Sequence, residues 1–95
     1  MEINSISHKG LRRLIEEGVA SGVPAAARAK IETIVAFLDA APGIEAVKKL
    51  QTWKAHQLTG DRKGTWSLTV TRNWRITFEV NALNEIENLD FEDYH

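Results

Sequence analysis

Five side chains in this sequence are of types that together move protons and hold a phosphate: His56, Arg75 and the run Asp93-Tyr94-His95. Histidine titrates near neutrality and can serve as acid or base. Arginine presents a fixed fork of donors that matches phosphate oxygens, and tyrosine can donate a hydrogen bond or stack on a base. Such a set suits metal-free cleavage of RNA. That reaction needs a base for the ribose 2′-hydroxyl, donors for charge developing on the phosphorus oxygens, and an acid for the leaving 5′ oxygen. On residue types alone this is one reading among several. The terminal trio fits equally the solvated end of an edge strand, since chain ends commonly fray.

Other chemistries have less support in the residues. His8, His56 and His95 are too scattered for a sequence-local metal motif. No glycine pattern marks a phosphate loop or a dinucleotide site, and no serine sits in a nucleophile elbow. There are no cysteines, so disulfides and thiolate metal sites are excluded. The expectation is no metal and no cofactor. The 95 residues suffice for one domain with a single core, spanning residues 1–95. Met1 to Lys9 lacks the apolar run of a signal peptide, and no segment nears the roughly 20 apolar residues of a membrane span. A cytoplasmic location without membrane contact is therefore expected.

The net charge of −1 hides an asymmetry. From Lys48 to Arg75, seven basic residues (Lys48, Lys49, Lys54, Arg62, Lys63, Arg72 and Arg75) face Asp61 alone, a local balance of +6. From Glu79 onward come Glu79, Glu85, Glu87, Asp90, Glu92 and Asp93 with no Lys or Arg. Screening confines charge effects to about 8–10 Å, so a local basic block can hold phosphate in a mildly acidic chain. Lys54, Arg62, Lys63 and Arg72 are the candidates for contact with a phosphate backbone. The two blocks can also pair with each other across a sheet.

The elements that must position these groups follow from periodicity. Ile3 and Ile6 bracket a short edge strand. Ser7 is the expected N-cap of a helix bearing Leu11, Leu14 and Ile15 and ending near Gly18. Pro24 suits the first turn of a second helix, whose stripe is Ala27, Ile31, Ile34, Val35 and Leu38 and which stops before Pro42-Gly43. Ile44, Val47 and Leu50 form a further helical turn or two. The second half switches to a period of two: Trp66, Leu68 and Val70, then Trp74, Ile76, Phe78 and Val80, joined by Thr71-Arg72-Asn73 as a hairpin. Trp53 to Leu58 is predicted as a strand before them. Leu89 and Phe91 alternate with Asp90 and Glu92 in a last strand that would carry the terminal trio to a fixed place. The fold class is α+β, with two N-terminal helices on one face of a small, mostly antiparallel sheet. The other face carries Ser67, Thr69, Arg75, Thr77 and Glu79, either as plain surface or as the floor of a groove.

Three stretches resemble the HigB toxins of bacterial toxin–antitoxin modules, in the RelE/ParE superfamily. They are His8-Lys9-Gly10-Leu11, the segment from Gly60-Asp61 through Trp66-Ser67 to Asn73-Trp74-Arg75-Ile76-Thr77-Phe78, and the ending Glu92-Asp93-Tyr94-His95. Gly18-Val19 and Ser21-Gly22-Val23-Pro24-Ala25 also match some members. The resemblance implies a RelE-like fold and a ribosome-dependent endoribonuclease that cuts translated messenger RNA in the aminoacyl site. It implies a HigA-like helix-turn-helix antitoxin as partner, through which alone operator DNA is bound, and the 70S ribosome and its message as targets. Matched position by position, the active-site residues are His56, Asp93, Tyr94 and His95, with Arg75 as the strand arginine. Many relatives carry a lysine where this chain has Thr59, and Arg62 and Lys63 are the nearest cations to replace it. Two alternatives are a gyrase-poisoning relative, against which the Asp93-Tyr94-His95 ending argues, and a non-enzymatic binding module on the same fold.

Overall fold

Period-two patterning in the second half of the chain builds one sheet, and 3.6-period patterning in the first half builds the layer that covers it. The computed structural model describes residues 1–94; His95 lies outside the described residues. Helices α1 (Lys9–Glu17), α2 (Arg28–Ala40) and α3 (Ile44–Lys48) precede strands β1 (His56–Gln57), β2 (Trp66–Thr69), β3 (Trp74–Val80) and β4 (Ile86–Asp93). The strands lie in the order β1-β2-β3-β4 and every neighbouring pair is antiparallel. The core is the meeting of the two patterns. Leu11, Leu14, Ile31, Ile34, Leu38 and Val47 from the helices pack with Leu68, Val70, Ile76, Phe78, Ile86, Leu89 and Phe91 from the sheet.

The strand that carries the terminal residues is bonded along both edges. On one side β4 pairs with β3, from Val80↔Ile86 to Trp74↔Asp93. On the other, the segment around Ile3 and Ile6 runs parallel to it, bridging Ile86 and Leu89. Asn4 and Ser7 donate to the carbonyls of Ile86 and Leu89 at 2.7 and 2.8 Å, and Ile86 and Leu89 donate back to Glu2 and Ser5 at 2.7 and 3.0 Å. The expected edge strand is thus a parallel edge segment that satisfies the outer backbone groups of β4. One extra residue in β4 opposite Phe78 breaks the register between Thr77 and Glu79. Asn88 there takes φ +53, and the bulge turns both Ile86 and Leu89 into the core although they are three residues apart.

Three local expectations are corrected. The N-cap of α1 is His8 and not Ser7: the His8 Nδ1 accepts from the Leu11 N–H at 2.9 Å. Its ring meets Phe91 edge-on at 5.6 Å, so cap and core contact come from one side chain. Pro24 precedes a 3₁₀ turn, Ala25–Ala27, which feeds α2. The strand expected over Trp53 to Leu58 shortens to His56–Gln57. Lys54 closes a turn on the Gln51 carbonyl at 3.1 Å and adopts φ +52, outside the extended region of regular strand backbone. The α2 stripe and its stop at Ala40 are as the spacing predicts.

Among the described residues no helix is long and apolar enough to cross a membrane. Gly10 and Gly22 mark the tightest approach in the helical layer. A Cβ on Gly10 would stand 2.2 Å from the Gly22 carbonyl oxygen, and one on Gly22 would stand 2.6 Å from the Gly10 Cα. Alanine in place of glycine within an unencumbered helix gains about 1 kcal/mol. Here the clash with backbone reverses the sign, and overpacking of this kind typically costs about 1–3 kcal/mol. Gly10→Ala should lower the midpoint of equilibrium urea unfolding; a raised midpoint would mean that helix propensity outweighs the contact.

Candidate functional site

The sheet face turned away from the helices is polar in sequence but largely covered in the structure. Ser67 and Thr77 are fully buried there, Thr69 and Arg75 half-buried, and only Glu79 of the five is exposed. The β1–β2 loop reaches onto that face. Gly60 at φ +68 and Gly64 at φ +101 bracket a 3₁₀ turn, Gly60–Arg62, in conformations that side-chain-bearing residues rarely adopt. From this turn Arg62 reaches over β2 and β3 to Glu92 on β4. Its two amino groups take the two carboxylate oxygens at 2.7 and 2.5 Å, a bidentate pair of the strong kind.

Glu92 gathers further groups on that face. Its Oε2 also accepts from the Thr77 hydroxyl, and its Oε1 takes one amino group of Arg75 at 3.4 Å. The hydrogen bonds from Arg62 are the largest influence on its acidity. Partial burial opposes them, and Thr77 with the charges of Arg62 and Arg75 reinforces them, so the carboxyl sits at about 2 against an ordinary 4.5. The same bond raises Arg62 above the ordinary arginine range, with Asp90 and Glu79 adding to the field of Glu92. The acidic and basic blocks of the sequence therefore do pair across the sheet, at this point.

Arg75 is the less committed cation. Its guanidinium carbon lies 5.2 Å from the centre of the Tyr94 ring, a cation–π contact. Its buried Nε has no hydrogen-bond partner among the described residues, and neither has the buried Ser67 hydroxyl. Unpaired buried donors cost about 1–3 kcal/mol each and are uncommon outside functional sites.

The terminal strand delivers Tyr94 to a definite place. The Tyr94 N–H donates to the Asn73 carbonyl at 2.9 Å, which extends the ladder past Asp93. The ring crosses Arg75, and its hydroxyl meets that of Thr69 on β2 at 2.6 Å. His56 comes to the same region from the edge. It pairs with Ser67 and so shares the face of Thr69. Its Nδ1–H donates to the Lys54 carbonyl at 2.7 Å. A carbonyl only accepts, so this contact puts a proton on Nδ1 and leaves Nε2 for exchange.

Not every sequence candidate joins this group. Asp93 is paired with Trp74, so strand alternation sets it on the face of Trp74 and Phe91, whose rings stack at 4.7 Å, opposite to Glu92 and Tyr94. His95 lies outside the described residues. Lys54, Lys63 and Arg72 are exposed. Lys54 and Arg72 stand beside Trp53 and Asn73, at the sheet end that holds Thr69 and Tyr94. Thr59 is exposed just before the 3₁₀ turn. Sequence reading placed Thr69 and Thr77 on this face but missed Glu92 as a member of the site. The only signal was the placement of Glu92 within the terminal motif, two residues from Tyr94.

Comparisons with known proteins bear on this geometry. The family model described as RelE-like toxin of type II toxin-antitoxin system HigB matches residues 4–95. The chain is 47% identical over 94 residues to the Endoribonuclease HigB of Proteus vulgaris, covering 98% of this chain and 99% of that protein. The fold resembles a YoeB/ParE toxin from Agrobacterium tumefaciens, with a TM-score of 0.62, 15% identity and full coverage of both chains. It also resembles YafQ from E. coli, with a TM-score of 0.60 and 12% identity over 98% of this chain and 94% of that one. The RelE-like α+β fold expected from the sequence is the fold found.

The shared carboxylate makes stability pH-dependent in a stated direction. The folded-state pKa of Glu92 lies below its unfolded value, so its stabilisation is complete above about pH 4.5 and is lost as pH falls from there toward 2. Glu92→Gln should flatten this acid limb of thermal stability and leave a lower melting temperature at pH 7. Parallel acid limbs in both proteins would show that Glu92 does not carry the linkage.

Proposed function

We propose the following function for this chain, which belongs to the HigB-like family of RelE-like toxins in type II toxin–antitoxin systems. It is an endoribonuclease that acts on translated messenger RNA in the ribosomal aminoacyl site. A HigA-like helix-turn-helix antitoxin neutralises it. The observation that carries the reading is the contact of Arg75 with Tyr94 on the polar sheet face, with His56 paired to Ser67 on the same face. The curated relative named as an endoribonuclease, 47% identical over nearly the whole chain, supports it. A type II family description and a solved YoeB–YefM complex from Staphylococcus aureus on the same fold, with a TM-score of 0.57, support an antitoxin partner.

In the proposed reaction a base removes the proton of the ribose 2′-hydroxyl, and that oxygen attacks the adjacent phosphorus. The bond from phosphorus to the 5′ oxygen breaks, and an acid protonates that oxygen. The products are a 2′,3′-cyclic phosphate and a 5′-hydroxyl end. His56, with Nδ1–H anchored and Nε2 exchangeable, can take either proton-transfer role. Arg75 stabilises the charge on the phosphorus oxygens. Tyr94, propped between Arg75 and Thr69, positions a base or the phosphate. His95 completes the acid–base pair, a role that rests on the family motif. Lys54, Lys63 and Arg72 hold backbone phosphates.

The set is sparse, and ribosomal alignment of the message is expected to supply much of the rate. Purified toxin should cleave message on programmed ribosomes and cut naked RNA poorly. Arg75→Ala should lower the single-turnover rate by about 10²–10³-fold, the range for losing one preorganised donor. Rapid, specific cutting of ribosome-free RNA would contradict the ribosome dependence. Arrest of DNA supercoiling with messages intact would favour a gyrase poison.

A further inference from the structure

We infer that Arg62 is a positioning residue, whose hold on Glu92 keeps Arg75 free for the scissile phosphate, and that Arg62 itself does not bind RNA. This rests on the reading above that the Arg75 face cuts RNA. Within that reading Arg62 is the obvious phosphate ligand: a basic loop residue beside that face, near the position where relatives carry a lysine. The geometry assigns it differently.

Two guanidinium groups share one carboxylate, and they share it unequally. Arg62 makes both short contacts, at 2.7 and 2.5 Å, while Arg75 has a single contact at 3.4 Å. With the Thr77 hydroxyl, four donors occupy a group that offers about four acceptor positions. Glu92 is therefore a saturated, fixed anion and is not available to accept a proton from substrate.

The surroundings point the same way. Three carboxylates, those of Glu92, Asp90 and Glu79, bear on the Arg62 cation. A phosphate approaching Arg62 meets a net negative neighbourhood. At Arg75 the neighbours are an aromatic ring, a hydroxyl-bearing strand and one weakly engaged carboxylate oxygen. If Arg62 left, the Glu92 carboxylate would lose its two strongest donors with Arg75 the nearest remaining cation. A tight Glu92–Arg75 pair would then neutralise the charge that the reaction needs. Arg62 thus works by occupying Glu92.

This predicts a compensation that a phosphate contact cannot produce. On programmed ribosomes, Arg62→Ala should lower the maximal single-turnover rate by about 10–100-fold, the scale of a misplaced reacting group. The half-saturating ribosome concentration should stay within about twofold of wild type. The slope of log affinity against log salt should not change, whereas each lost phosphate contact reduces it by about 0.7–0.9. The double variant Arg62→Ala/Glu92→Gln should recover most of the lost rate, because the freed carboxylate is gone. Thermal melts establish that each variant is folded, and Arg62→Lys, which keeps a point charge without the fork, serves if Arg62→Ala does not fold. A shallower salt slope with an unchanged maximal rate would overturn the inference in favour of RNA binding by Arg62. A double variant as slow as Arg62→Ala would also overturn it. If the wild-type chain leaves ribosome-bound message intact, the failure lies with the proposed reaction and not with Arg62.

Discussion

The arrangement of this protein's polar face depends on one carboxylate that is not free to move. Glu92 sits on β4, which is hydrogen-bonded on both edges. From there it ties the β1–β2 loop to the sheet through Arg62, caps the Thr77 hydroxyl on β3 and touches Arg75. An ion pair on an open surface contributes little, typically about 0–1 kcal/mol. This one is partly buried, bidentate and part of a network, so its consequence is geometric as well as energetic. It ties the loop to a polar face on which Ser67 and Thr77 are buried, and leaves Arg75 against Tyr94 with its Nε unpartnered among the described residues.

Rigidity is inherited from the other side of the sheet. Ile76, Phe78, Leu89 and Phe91 lock β3 and β4 against α1 and α2, and the bulge at Asn88 keeps Ile86 and Leu89 both in that core. The Trp74–Phe91 stack and the edge contact from His8 extend the packing to the strand ends where Asp93 and Tyr94 leave the ladder. Groups that handle protons and phosphate are best held on such elements, since small displacements of reacting groups are costly. The chain end, ordinarily the loosest part of a domain, is here pinned as far as Tyr94 by the Asn73 carbonyl and the Thr69 hydroxyl.

Much of this was legible in the sequence because periodicity reports local geometry directly. The alternation of Leu89 and Phe91 with Asp90 and Glu92 marked a strand with one face buried, and the stripe from Ala27 to Leu38 marked α2. The terminal motif and the Trp74-Arg75 strand pointed to the family. What the sequence did not disclose were contacts between residues far apart in the chain. Nothing local to Arg62 says that it crosses two strands to reach a residue 30 positions away. From sequence alone, the polar face reads equally as surface or as groove. The left-handed Lys54 cut short the strand expected before His56, and the cap moved from Ser7 to His8 because the imidazole also packs on Phe91. The face taken by Asp93 follows from the same alternation that identified β4, and it separates Asp93 from Tyr94 although the two are adjacent in sequence.

The central claim is that this face cuts message by internal attack of a ribose hydroxyl, with protein side chains moving the protons. The chemistry of the cut ends tests it most directly. Message recovered from programmed ribosomes after a single turnover should carry a 2′,3′-cyclic phosphate on the upstream fragment and a free hydroxyl on the downstream 5′ end. A 5′-phosphate on the downstream fragment would mean that water, and not the 2′-hydroxyl, is the nucleophile. That result would contradict the roles assigned to His56, Arg75 and Tyr94.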